Sequence, residues 1–336
     1  MPGPYARENF TFFVVADTHY GTDPVADATT SRLVDQMNGL PGTPWPAPLG
    51  GHVDPPRGIV HLGDITNDGR AESLRTYWAD YGGTGQDGRL RFPVFEVWGN
   101  HDGGPRQPVQ LAIIERNRQR ESEAVRVSSN GLFCSWDWGG IHFVALGIFP
   151  GTSQKTYDPQ GSLPFLVADL ARHVGSSGRP VILLHHVGFD RHSVGWWSNE
   201  FWVAYREAIR PYNVAAIFHG HAHETLGYEW EGIPVFSPPH LRRSRPGTEP
   251  LFTHGFFAVR VNGSEMFVVE RRVDGTWGRT FCAKIRWPAA ERTPPSAQQA
   301  PFSSHGLLVI QNLTPAASVP VRVSIHGRRC AVAAIP

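Results

Sequence analysis

Phe95-Glu96-Val97-Trp98-Gly99-Asn100-His101-Asp102 runs from an apolar stretch straight into four polar or turn-forming residues. The apolar part, Pro93 to Trp98, has the length and the β-branched and aromatic content of a buried strand. Gly and Asn suit a tight turn after it, but a turn has no use for the His-Asp pair that follows. A polar side chain just past a strand end sits on a loop held by a rigid sheet, where binding and catalytic groups are commonly carried.

The same pattern occurs four more times. Phe10 to Ala16 precedes Asp17-Thr18-His19, Gly58 to Leu62 precedes Gly63-Asp64, Pro180 to Leu184 precedes His185-His186, and Val214 to Phe218 precedes His219-Gly220-His221-Ala222-His223. Singly, an Asp-x-His or a Gly-Asp after a strand is an ordinary turn or helix cap. The alternating histidines at 219, 221 and 223 have little structural rationale, since they repel when charged and cost desolvation when buried. Five strand ends can converge, and together they offer enough oxygen and nitrogen ligands for two metal ions.

The order Asp-x-His, Gly-Asp, Gly-Asn-His-Asp, His, Gly-His-x-His resembles the calcineurin-like dinuclear metallophosphoesterases, which include purple acid phosphatases, phosphodiesterases and protein phosphatases. The resemblance spans Phe10 to about Arg272. It implies a four-layer αββα sandwich, two mixed β-sheets packed face to face with helices outside and the metals at the strand-end loops. It also implies that one metal is held by Asp17, His19, Asp64 and His223 and the other by Asp64, Asn100, His185 and His221, with Asp64 bridging. Of the His-His pair the first is the ligand in such families, which leaves His186 in a supporting or core role. Carboxylate, amide and imidazole donors without thiolate suit zinc, manganese or iron in divalent or trivalent form. Two such ions about 3.5–4 Å apart generate a bridging hydroxide for in-line attack on phosphorus. His101 matches the family histidine that contacts phosphate and protonates or stabilises the leaving oxygen, and Asp102 is expected to orient its ring. A rival likeness, between His219-x-His221-x-His223 and the metal motif of metallo-β-lactamase-like hydrolases, fails because the Asp of that motif is missing and the cluster comes late.

Other residues read more plainly. His61 and His142 lie inside apolar runs and read as core histidines, and His219 ends its strand pointing elsewhere. Arg191, His192 and Trp196, between the fourth and fifth clusters, are candidate substrate contacts. Helices are expected at Asp27 to Asn38, Glu72 to Tyr81, Val109 to Arg126 and Pro164 to Val174, with a further one beginning near Phe201. Leu132 to Trp138 and Ile141 to Leu146 read as a hairpin around Gly139-Gly140. Thr225 to Trp230 and Ile233 to Phe236 read as strands. A second hairpin around Asn262-Gly263, from Phe256 to Arg272, is expected to close the second sheet. The Gly/Pro-rich loop Pro41 to Pro56 is expected to border the site.

The 336 residues, 40% hydrophobic and 18% charged, suit a globular enzyme with one large domain over 1–287. A Pro/Ala-rich linker would follow over 288–301, and a small β appendage over 302–336 would pack on the main domain, being too short for its own core. A net charge of +1 gives no reason to expect nucleic acid. No apolar stretch is long enough to span a bilayer, and the absence of a charged start followed by an apolar core favours a cytoplasmic protein, or a secreted or periplasmic one if a leader was removed. The three cysteines, Cys134, Cys282 and Cys330, read as small buried residues with at most one disulfide.

The functional expectation is a phosphoester hydrolase acting on a small molecule, with monoesters favoured over diesters such as glycerophosphodiesters, cyclic nucleotides or phospholipid head groups. One alternative is a catalytically idle scaffold of the same fold. Another is peripheral membrane contact, suggested by Trp196, Trp197 and Trp202 near arginines.

Overall fold

All six residues of Phe10–Val15 are buried, and they form β1 at the centre of the first of two sheets. The structure is a computed structural model that describes residues 7–83, 87–104, 106–151, 161–239 and 254–288. The expected linker, apart from Pro288, and the expected β appendage lie outside the described residues. So does the arginine-rich segment 242–245.

In chain order the elements are β1, α1 (Pro24–Gly39), β2 (Ile59–Leu62), α2 (Ala71–Tyr81), β3 (Val94–Val97), α3 (Pro108–Arg120), β4 (Val125–Val127), β5 (Cys134–Trp138), β6 (Ile141–Ala145), α4 (Ser162–His173) and β7 (Val181–Leu184). There follow α5 (Asn199–Ile209), β8 (Val214–Phe218), β9 (Leu226–Trp230), β10 (Ile233–Ser237), β11 (Gly255–Asn262), β12 (Glu265–Arg272) and β13 (Trp277–Lys284). The first sheet has the order β13-β12-β11-β1-β2-β3 and the second β4-β5-β6-β7-β8-β10-β9. Both are mixed: β1, β2 and β3 run parallel, as do β6, β7 and β8, while the outer strands are largely antiparallel.

Strand alternation separates two faces. Phe12, Val14 and Ala16 of the β1 run share one buried cluster with Phe143, Ile182, Leu184 and Phe218 of the second sheet. Phe12 meets the edges of Phe143 and Phe218 with ring centroids 5.4 and 6.0 Å away, a geometry worth about 0.5–1.5 kcal/mol per pair beyond area burial. Phe13 and Val15 point the other way, into a cluster with Leu33, Val34 and Met37 of α1. The sandwich is therefore two sheets face to face with helices on the outer faces.

Local sequence explains the element ends. Asp23 caps α1 by accepting from the amides of Val25 and Ala26, with Pro24 in the first turn. The helix expected to reach Arg126 stops at Arg120. The Ser122 hydroxyl accepts from the amides of Ala124 and Val125, and the β-branched Val125 and Val127 then pair with β5. The hairpin around Asn262-Gly263 forms as expected, but β11 pairs with β1, so it widens the first sheet and not the second. The Pro41 to Pro56 loop packs on that side, with Trp45 stacked on Trp277 of β13 at 5.5 Å. Cys134 is buried as expected, whereas Cys282 is exposed.

His142 is a core histidine with an unusual setting. It is fully buried, its Nδ1 lies 2.7 Å from Asp137 and its Nε2 2.6 Å from Asp169. Asp137 also meets Arg126 and Arg179, Ser135 donates to Asp169, and the His173 ring stacks at 6.3 Å. Burial alone would depress the His142 pKa, but the two carboxylates outweigh it and raise the value above the ordinary one. The raised pKa stabilises the fold fully below the unfolded value of about 6.5, and that contribution is lost as pH rises through the folded value. Asp169→Asn is expected to cost about 3 kcal/mol at about pH 6 and less at about pH 9, read by urea denaturation of metal-free protein. Equal losses at both pH values would show that the His142 charge contributes nothing.

Candidate metal centre

The loop after β1 is zipped to the loop after β2. Asp17 N donates to Gly63 O, His19 N to Asp64 O and Tyr20 N to Ile65 O, at 2.9, 2.9 and 3.0 Å. This places Asp17, His19 and Asp64 side by side, all at most 1% exposed. The loop after β8 joins them: the His221 amide donates to both carboxylate oxygens of Asp17 at 3.1 Å, and His223 Nε2 lies 3.3 Å from Asp17 Oδ1. The loop after β3 closes the group, with His101 N donating to Asp64 Oδ1 at 2.8 Å. Gly99 is required here, because a Cβ on it would stand 2.2 Å from Asp64 Oδ1.

Two sets of donor atoms result, each mutually within 4.8 Å: Asp17, His19, Asp64 and His223, and Asp64, His186 and His221. Asp64 belongs to both. Asn100 adds an oxygen to the second set, its Oδ1 being 3.0 Å from both His186 Nε2 and His221 Nδ1. His19 Nε2 and His223 Nε2 face each other at 3.2 Å. Such crowding of lone-pair atoms on a common centre is the arrangement cations satisfy. The residues present fit two hard or borderline metal ions.

The expected ligand His185 is not in either set. Its residue number shares parity with Val181 and Leu183, on the helix-side face, and its ring packs against Phe189, Trp197 and Tyr205. Its Nδ1 donates to Val187 O at 2.8 Å. His186 follows Ile182 and Leu184 onto the inter-sheet face, and its Nδ1 donates to Leu62 O at 2.8 Å, leaving Nε2 turned toward Asp64 and Asn100. The period of two along β7 was the signal that distinguishes the pair.

Asp102 also departs from expectation. Its Oδ2 accepts from the amides of Ile65 and Gly99, and its Oδ1 from the amide and hydroxyl of Thr66, so it pins two ligand loops together. The residue that orients His101 is Asn67, whose backbone carbonyl lies 2.9 Å from His101 Nδ1. A carbonyl accepts only, so Nδ1 carries a proton and Nε2 is left outside this contact. A backbone contact of this kind has no signature in residue type.

His61 is bonded to Thr18, and His219 to Tyr228 and to its own loop; neither belongs to the donor sets. Of the candidate substrate contacts, Trp196 lies edge-on to His221 with centroids 5.0 Å apart. Arg191 and His192 sit at the rim, both on the Glu224 carboxylate, at 2.7 and 3.3 Å.

Burial dominates the imidazole electrostatics. It pushes His19 and His221 down to about 4. Burial also opposes the charged form of His186, but Asp64 overrides it and raises the value to about 9. For Asp17 and Asp64, burial is outweighed by the neighbouring histidines, and both carboxyls lie well below the usual range. Two buried anions thus attract positive charge to this point.

The sequence pattern of the calcineurin-like phosphoesterases matches residues 10–225, nearly two thirds of the chain. The chain belongs to the calcineurin-like phosphoesterase family. Among solved structures it is similar to a dimetal phosphatase from Danio rerio, with 15% identity, a TM-score of 0.54 and coverage of 82% of this chain and 99% of that one. It is also similar to GAP50, the anchor in the inner membrane complex of Plasmodium, with 12% identity, a TM-score of 0.54 and coverage of 83% and 89%. At these identities the likeness concerns the fold. No curated protein matches the chain. Among the described residues no helix is long and apolar enough to cross a membrane.

Two variants separate the neighbouring histidines. After loading with manganese or zinc, His186→Ala is expected to fall from about two ions per chain to about one or fewer, whereas His185→Gln retains both. The reverse result by elemental analysis would return the ligand role to His185.

Proposed function

We propose that this protein is a dinuclear metal-dependent phosphoester hydrolase acting on phosphomonoesters. The observation that carries the reading is the pair of donor sets sharing the Asp64 carboxylate. Asp17, His19, Asp64 and His223 would hold one ion, and Asp64, Asn100, His186 and His221 the other. Bound there, the ions would supply positive charge for the phosphoryl oxygens and an acidified water as nucleophile.

The chain's own groups do the rest. His101, held through Nδ1 by Asn67 O, presents Nε2, which in the imidazolium form would donate its proton to the leaving oxygen. Its ring lies edge-on to ligand His19, with centroids 4.8 Å apart, so the proton donor is fixed against the centre. Asp102 keeps the loops that carry Asp64 and His101 in register. Trp196 stands edge-on against His221 of the second donor set. A monoester dianion carries one more negative charge than a diester, and Arg191 and His192 at the rim favour it.

His101→Ala is expected to keep its metal and lose at least about a hundredfold in turnover of unactivated monoesters; an unchanged rate removes His101 from the reaction. Asp64→Ala should empty both sites. Elemental analysis paired with hydrolysis of p-nitrophenyl phosphate and bis-p-nitrophenyl phosphate tests the whole reading. Metal with faster monoester turnover supports it, faster diester turnover reverses the ester class, and neither metal nor turnover overturns it.

A further inference from the structure

Beside the metal centre lies a second cavity of about 300 Å³ lined by Arg191, Glu224, Thr225, Glu270, Arg272 and Arg279. This volume is at the lower end for ligand pockets, about 300–1,000 Å³. Glu224 is the residue after His223, so the cavity begins one residue from the donor set. Its walls come from both sheets: the loops after β7 and β8 on one side, β12 and β13 on the other.

The lining is built for an anion. Three guanidinium groups face two carboxylates, leaving positive charge in excess. Glu270 is 1% exposed and holds the other side in place, accepting from Arg272 Nε at 3.2 Å and from the Arg279 amide at 2.9 Å. Arg279 Nη1 donates to Thr225 O at 2.8 Å. These contacts engage Arg272 through Nε and Arg279 through one Nη, and a guanidinium has five N–H donors in a planar fork. Gly278 makes the arrangement sterically allowed, because a Cβ there would stand 2.4 Å from Glu270 Oε2 and 2.9 Å from Arg272 Nε. Independently, Thr225 is 9% exposed and its hydroxyl is buried without a hydrogen-bond partner in the lining of this cavity. A buried hydroxyl costs free energy until something accepts or donates to it.

A larger cavity, about 870 Å³, opens at the opposite end of β8. Two arginines of its lining, Arg206 and Arg210, are paired with Glu207 and Glu231.

We propose that the Arg272–Arg279 cavity is a phosphate-binding subsite. It would receive a second phosphate on the leaving-group arm of the substrate while the first phosphate is hydrolysed at the metals. The substrate class is then an organic bisphosphate. The assignment of a second phosphate rests on the metallophosphoesterase reading; the capacity of the cavity to bind phosphate does not.

Two measurements separate these. In the first, full-length protein stripped of metal is titrated with inorganic phosphate at low ionic strength by calorimetry. Binding in the millimolar range or tighter is expected, weakened at least about tenfold in Arg272→Gln/Arg279→Gln. Arg279→Gln alone, which keeps its amide on Glu270, is the second variant should the double one fold poorly. No binding, or equal binding by wild type and variant, overturns the subsite whether or not the protein is an enzyme.

In the second, metal-loaded protein is compared on 1,4-butanediol bisphosphate and 1-butyl phosphate, which differ only in the second phosphate. The bisphosphate is expected to have the higher kcat/KM by about tenfold or more, with the ratio falling toward one in the variants. A wild-type ratio near one overturns the bisphosphate class. Hydrolysis of neither ester, with variant-sensitive phosphate binding intact, sinks the phosphoesterase reading and leaves the anion site standing.

Discussion

The backbone pairing of β1 with β2 continues past both strand ends, and the candidate metal centre depends on that continuation. Amide-to-carbonyl bonds from Asp17, His19 and Tyr20 run into Gly63, Asp64 and Ile65. Within this zipped segment and in the loop after β8 the backbone is forced into left-handed conformation. Of the seven non-glycine residues with positive φ among the described residues, five are Asp17, His19, Asp64, His221 and His223, at φ between 45° and 64°. Each such residue costs about 1–2 kcal/mol, so the five together cost an amount on the order of the net stability of a domain. Asp and His tolerate this region better than most residues, which brings the cost toward its lower bound. What remains is offset by the zipped amides, by Asp102 bridging the loops, and by the inter-sheet core that fixes the strand ends.

That core also decides which side chains reach the centre. Val60, Leu62, Ile182 and Leu184 point between the sheets, and Asp64 and His186 continue the same alternation one step beyond their strands. The centre is therefore the polar cap of an apolar stack. Its carboxylates and imidazoles sit against the low-dielectric interior, where electrostatic interactions are strong and a misplaced charge is expensive. Ligands come from both sheets, so their spacing depends on the packing of one sheet on the other. Aromatic pairs such as Phe12 with Phe143 thereby act on the metal geometry from below.

This layering explains what the sequence could reveal. Each strand before a cluster is a short run of apolar residues because it is buried on both faces, and each cluster is conspicuous because polar groups follow immediately. Strand positions, the ordered clusters and the two-sheet architecture are legible for that reason. The choice between His185 and His186 required following side-chain parity through β7, and a two-residue motif reads the same in either register. The position of Asp102 depends on four donors, three from the distant loop after β2 and one from Gly99 in its own loop, and Asn67 acts through its carbonyl, which every residue possesses. β13 was missed because it is an edge strand with much of its surface exposed, so its apolar alternation is weak. The end of α3 was overrun because Arg118, Arg120 and Glu121 continue a helix-compatible charge pattern past the point where Ser122 turns the chain.

The electrostatics of the centre tie these elements to its chemistry. Two carboxylates buried to within 1% of full burial must be balanced by positive charge. His186 provides it by holding a proton that burial alone would remove, through Asp64, and Asp17 raises the His223 value in the same sense. An imidazole that holds a proton on the donor nitrogen cannot also offer that nitrogen to a metal. An ion bound at this point would therefore exchange protons for metal charge, with the same carboxylates serving both states. His19 and His221, kept neutral by burial, need no such exchange. The second donor set thus pairs a neutral imidazole, His221, with a protonated one, His186, and the carboxylates that demand the charge are the ones held in strained backbone by the zipped loops.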